Sequence, residues 1–121
     1  MHWLGVFLFG GCGAVARVWA ATLVDGRFLP WATLGVNFLG CLAIGFLAEL
    51  FEDRIALDPR LRVSLIGGFL GGFTTFSAFG LECWEFVARG ELGMAAAYAL
   101  GSLILGVVGV GLGIGLARLL L

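Results

Sequence analysis

Residues 71–79 read Gly-Gly-Phe-Thr-Thr-Phe-Ser-Ala-Phe, a poor sequence for a helix interior. Gly costs about 1 kcal/mol relative to Ala there, and Thr loses χ1 freedom. Yet nineteen uncharged residues, Val63 to Leu81, surround this weak point, enough to cross a bilayer. Backbone that leaves a helix at membrane depth must be buried in protein or line a water-filled path. A break over 71–75 therefore predicts a site where an ion or polar solute meets backbone groups. A kink absorbed by neighbouring helices is the alternative reading.

Other polar groups lie in equally apolar surroundings, where they are expensive. Thr33 and Asn37 are spaced i,i+4 and share a helix face. Asn37 offers two amide donors and an acceptor, suited either to gluing helices together or to holding a solute. Tyr98 and Ser102 repeat the i,i+4 spacing, and Gly106 continues that face. Phe76, Phe79 and Glu82 are spaced three apart. Such a stripe packs a core, or turns positively polarised ring edges toward an anion. Arg17 and Glu82 are the charges well inside apolar runs; Arg17 has a snorkelling route to the interface.

The elements that must position these groups follow from composition. The 121 residues are 61% hydrophobic, with 7 basic and 8 acidic side chains, and mean hydropathy is +1.10. No soluble domain of this size hides so much apolar surface, so the chain is an all-α membrane protein. Uncharged runs predict four transmembrane helices, roughly 3–24, 31–50, 61–88 with its break, and 92–120. They fill one membrane domain, 1–121. The N-terminal run has no Lys or Arg before it and does not read as a signal peptide.

Four Trp residues, Trp3, Trp19, Trp31 and Trp84, fall near helix ends, as an interfacial belt requires. Leu57-Asp58-Pro59-Arg60 reads as a helix start, with Asp58 as N-cap and Pro first in the helix. Phe28-Leu29-Pro30-Trp31 similarly opens the second helix. Gly109/Gly113 and Gly111/Gly115 are small-x-x-x-small pairs that let helices approach closely, and Gly10-Gly11-Cys12-Gly13-Ala14 does the same in the first helix. Cys12, Cys41 and Cys83 have no metal-ligand spacing and read as small packing residues. Every basic residue is Arg. Arg54, Arg60, Arg62 and Arg118 fall on one side, Arg27 and Arg89 on the other, joined by Arg17 if it reaches that interface. So slight a bias leaves two readings, a single orientation or insertion both ways up. There is no catalytic constellation, so the chain is not an enzyme, and no basic patch for nucleic acid.

Taken in order, Gly10-Gly-Cys-Gly-Ala-Val-Ala-Arg17, Ala32-Thr-Leu-Gly-Val-Asn37, Gly71-Gly-Phe-Thr-Thr-Phe-Ser-Ala-Phe79, Tyr98 and Ser102 resemble the Fluc/CrcB fluoride channels over the whole chain. The resemblance implies a passive fluoride channel of the bacterial plasma (inner) membrane that exports fluoride from the cytoplasm. It implies an antiparallel, dual-topology homodimer in membrane lipid with two pores along the subunit interface. A structural Na⁺ would be held at the dimer centre by backbone carbonyls at Gly71 and Thr74. The pore would use Asn37, Phe76 and Phe79, with a polar track including Thr33, Ser77, Tyr98 and Ser102. Glu82 would stand at the pore entrance, and Arg17 corresponds to the family's first-helix arginine. Two positions depart from the pattern: Ala78, where the family usually has Thr, and Gly106, where many members have Ser.

A small multidrug-resistance-type exporter, also four-helix and proton-coupled, is the alternative. It requires an acidic residue in the first helix, and residues 1–24 contain none. A non-transporting assembly subunit would account for the glycines but not for the broken helix flanked by Phe residues.

Overall fold

The computed structural model describes residues 2–24 and 30–121. All its regular elements are helical. The first is α1, His2–Thr22, followed by α2, Trp31–Asp53. The third span comprises α3 (Pro59–Val63), a π-helical segment (Ser64–Leu70), α4 (Gly71–Phe73) and α5 (Phe76–Ala88). The last helix, α6, is Leu92–Leu120. Four helices, with the third span taken as Pro59–Ala88, are long and apolar enough to cross a membrane. Helix α2 runs three residues past the expected end at 50. Arg27 and the Phe28-Leu29 part of the second helix start lie outside the described residues.

Local chemistry sets several boundaries. Asp58 caps α3, accepting from the Arg60 N–H at 2.7 Å, and Pro59 fills the first helical position, where its missing donor costs nothing. At the far end of the span, Gly90 takes φ +75°, a left-handed conformation open to glycine. Its N–H reaches the Val87 carbonyl at 2.9 Å and that of Glu91 reaches Phe86 at 2.8 Å, closing α5 and turning the chain into α6.

The helices pack in two sets, α1 against the π segment and α4, and α2 against α6. Glycine allows both contacts. A Cβ at Gly45 would strike the Val110 carbonyl, and one at Gly113 the Leu42 carbonyl. A Cβ at Gly109 would lie 3.2 Å from Cys41 Cβ. Gly109/Gly113 is thus a close-approach pair within the chain. Gly111 and Gly115 instead face open space. At one end of this pair of helices, Arg118 Nε donates to Glu49 at 2.9 Å and Arg54 Nη1 to the Leu121 carbonyl at 2.9 Å.

Little of the chain is hidden from its surroundings. Accessible surface is 7717 Å², against roughly 6200 Å² expected for a compact soluble protein of this mass. Large apolar side chains make up much of the excess, from Trp3 and Phe7 to Leu103 and Leu119. The four belt tryptophans are among them.

Candidate functional site

The third span breaks at Thr74 and Thr75. Their backbones are extended, φ/ψ −85/158° and −147/119°, a conformation that suits β-branched residues. Gly71 and Gly72, expected inside the break, are helical in α4. Gly72 is needed for packing: a Cβ there would strike the Gly10 carbonyl and lie 3.1 Å from the Ala14 nitrogen. Its glycine therefore lets α1 and α4 touch backbone to backbone and does not interrupt the helix.

Asn37 is the partner that the break requires. Its Oδ1 accepts from the Thr75 N–H at 2.8 Å, and its Nδ2 donates to the Thr75 carbonyl at 3.0 Å. One side-chain amide thus satisfies both backbone groups of a residue that has left the helix. The Thr75 N–H is directed to Asn37, away from the Gly71 carbonyl four residues back. The Thr75 hydroxyl then caps α5, accepting from the Ala78 N–H at 3.2 Å. Thr74 packs its methyl group where Gly40 of α2 has no side chain, and its hydroxyl donates to the Leu70 carbonyl at 2.9 Å. The capping role of Thr75 and the contact at Gly40 escaped the sequence reading. A Thr just before a helical run is an N-cap signal that could have found Thr75; Gly40 carries no local signal.

A groove of about 820 Å³ runs along α2, the break and α6. Asn37, Gly71, Thr74, Phe76, Phe79 and Ser102 all line it. Phe76 is 83% exposed, so a single chain leaves the groove without an outer wall there. The two Phe rings are tilted against each other, centroids 5.7 Å apart. Ser102 Oγ is buried and is the polar side-chain atom left without a hydrogen-bond partner among the described residues. Cys41 Sγ lies 3.6 Å from where a Cβ on Gly106 would stand.

The remaining expected site residues stand off the groove wall. Glu82 accepts from Thr33 Oγ1 on one carboxylate oxygen and from the Tyr98 hydroxyl on the other, both at 2.6 Å. This triad ties α2, α5 and α6 together, and it commits the hydroxyl protons of Thr33 and Tyr98 to the carboxylate. Tyr98 is only 4% exposed and sits under Phe79, centroids 5.2 Å apart. Ser77 lies beside the Thr75 hydroxyl at 3.4 Å. Arg17 turns to the break: its Nε donates to the Gly72 carbonyl at 3.2 Å, in place of the snorkelling route open to it in the sequence.

The groove can therefore offer an anion the second N–H of the Asn37 amide, the Ser102 hydroxyl and Phe ring edges. The N-terminus of α5 adds N–H groups without intrahelical acceptors and the positive end of a helix dipole. A broken helix whose freed backbone groups meet a cavity is how membrane transport proteins build ion sites.

The sequence model of the family described as "CrcB-like protein, Camphor Resistance (CrcB)" matches residues 4–114. Among curated proteins, a fluoride-specific ion channel FluC of Nitratidesulfovibrio vulgaris is 46% identical over 116 residues, covering 93% of each chain. That of Methylobacillus flagellatus is 44% identical over 119 residues, covering 94% of this chain and 92% of its own. That of Agrobacterium fabrum is 42% identical over 113 residues, covering 90% of both.

Proposed function

The chain belongs to the CrcB-like family, and we propose that it is a passive fluoride-selective channel that lowers cytoplasmic fluoride across a bacterial membrane. It is an ion channel and not an enzyme. The exporter alternative loses its basis, since α1 has no carboxylate to carry a proton.

The observation that carries the reading is Ser102. A buried hydroxyl without a partner costs on the order of 1–3 kcal/mol. Ser102 lines a groove whose other polar wall is Asn37 and whose apolar wall is Phe76 and Phe79. Fluoride is small and tightly hydrated, so a path must replace its water with close donors. The Ser102 hydroxyl and the free Asn37 N–H supply them, while the Phe edges contribute partial positive charge without binding too strongly. Beside this path the Thr33–Glu82–Tyr98 triad holds the helices in register, with Glu82 toward the entrance and Ser77 at the start of α5.

We assign the missing outer wall to a second copy of the chain. In an antiparallel homodimer each copy closes the other's groove, giving two pores in a lipid bilayer. With Arg17 held at the break, four Arg on one side stand against two on the other, a bias still slight enough to leave both orientations open.

A structural Na⁺ fits the chemistry of the break. The Gly71 carbonyl loses its helical donor to Asn37, the Thr74 carbonyl loses its own to the Thr75 hydroxyl, and Gly71 Cα opens onto free space. Hard carbonyl oxygens of this kind suit a small hard cation. Gly71 and Thr74 would hold it together with the same pair from the second copy. When bound, it supplies a fixed positive charge near the anion path.

The test is fluoride efflux from proteoliposomes loaded with fluoride or chloride. Rapid release of fluoride with chloride retained is expected; chloride release at a similar rate would overturn the selectivity.

A further inference from the structure

The break frees several carbonyls, and each has a distinct fate. That of Leu70 accepts from the Thr74 N–H and hydroxyl, both at 2.9 Å. That of Thr75 accepts from Asn37. The Gly72 carbonyl would bond the Phe76 N–H in an unbroken helix, but Phe76 opens α5. It accepts instead from Arg17 Nε, 55 residues away in sequence. The Gly71 carbonyl loses its helical donor to Asn37 and that of Thr74 loses the Ala78 N–H to the Thr75 hydroxyl, and neither gains a donor in return among the described residues.

The register of α1 explains how Arg17 arrives there. A Cβ at Gly13 would lie 2.9 Å from the Phe73 nitrogen, and one at Gly72 would lie 3.1 Å from the Ala14 nitrogen. These contacts press α1 against α4, and Arg17 is one turn further along the same face. Its Nε–H meets the C-terminal end of the half-helix, where carbonyls without intrahelical donors need a partner. Among the described residues its remaining N–H groups have no partner, and no acidic group faces it.

We propose that Arg17 is a positioning residue of the break, acting through its Nε–H on Gly72 and not through its charge at a pore mouth. By claiming the Gly72 carbonyl it leaves those of Gly71 and Thr74 as the pair available to a cation. This rests on the channel reading above.

Two substitutions separate the bond from the charge. Arg17→Gln places an amide nitrogen at the same distance along the side chain as Nε, without charge. Arg17→Met fills the same space with no donor. Each variant is compared with the wild type for fluoride efflux, for the Na⁺ concentration giving half-maximal efflux, and for thermal stability in detergent. R17Q should match the wild type in all three. R17M should lose about tenfold in efflux and require about tenfold more Na⁺, the size expected of one unsatisfied buried carbonyl. An R17Q that misfolds, or folds and falls to the level of R17M, overturns the proposal, as does an R17M identical to wild type. If R17M does not fold, R17Q alone decides on the same criteria. A wild type that passes no fluoride would sink the channel reading, and the three melting curves would then decide the cap on their own.

Discussion

Replacing Asn37 with Asp changes one atom and removes one of two hydrogen bonds. Oδ1 can still accept from the Thr75 N–H, now 2.8 Å away. The donor that stood 3.0 Å from the Thr75 carbonyl becomes an oxygen, so two acceptors face each other. The orphaned carbonyl costs on the order of 1–3 kcal/mol. The larger effect acts on the anion. A carboxylate about 4 Å from the path, at an effective dielectric of about 20, repels a passing anion by about 4 kcal/mol. That corresponds to about three decades in occupancy. Fluoride efflux from N37D proteoliposomes should therefore fall about a thousandfold, while size-exclusion chromatography in detergent still returns the wild-type assembly, since the Thr75 N–H bond survives. Wild-type efflux from a correctly assembled N37D would refute the reasoning, because no anion path could then pass Asn37.

Ser102→Ala should lower fluoride efflux by up to about tenfold, the loss of one net hydrogen bond, with a melting temperature that does not fall and rises where the unpartnered hydroxyl had cost stability. Gly72→Val should destabilise the fold itself by about 1–3 kcal/mol through overpacking against Gly10 and Ala14, read from thermal melts. Gly71→Val meets no atom within the chain and should instead weaken the dimer, visible as a shift to monomer on size exclusion. C-terminal tags in whole cells should be accessible about equally from both membrane faces; a single-sided result would contradict antiparallel assembly.

The four spans and the existence of a break are legible in the sequence because hydropathy and helix propensity are local quantities. The position of the break is less so. Gly71 and Gly72 look like the weakest residues, yet they stay helical. Gly72 has a packing function that depends on Gly10 and Ala14 in another helix. The ladder fails at Thr74 and Thr75, where Asn37 intercepts an N–H from 38 residues away, a competition that no local propensity records. For the same reason the spacing of Thr33 and Tyr98 reveals shared faces but not that both hydroxyls converge on Glu82. The inward turn of Arg17 depends on the α1–α4 register. Glycines that face open space, such as Gly111, and contact glycines such as Gly113 read alike in sequence and differ only in what the fold places beside them.

The central claim is passive, selective conduction of fluoride, and the reversal potential across a planar bilayer tests it most directly. With a tenfold fluoride gradient, balancing impermeant ions and symmetric pH, current should reverse close to the equilibrium value for a monovalent anion, about 59 mV in magnitude. Reversal near zero, or at a potential that follows an imposed pH gradient, would contradict it.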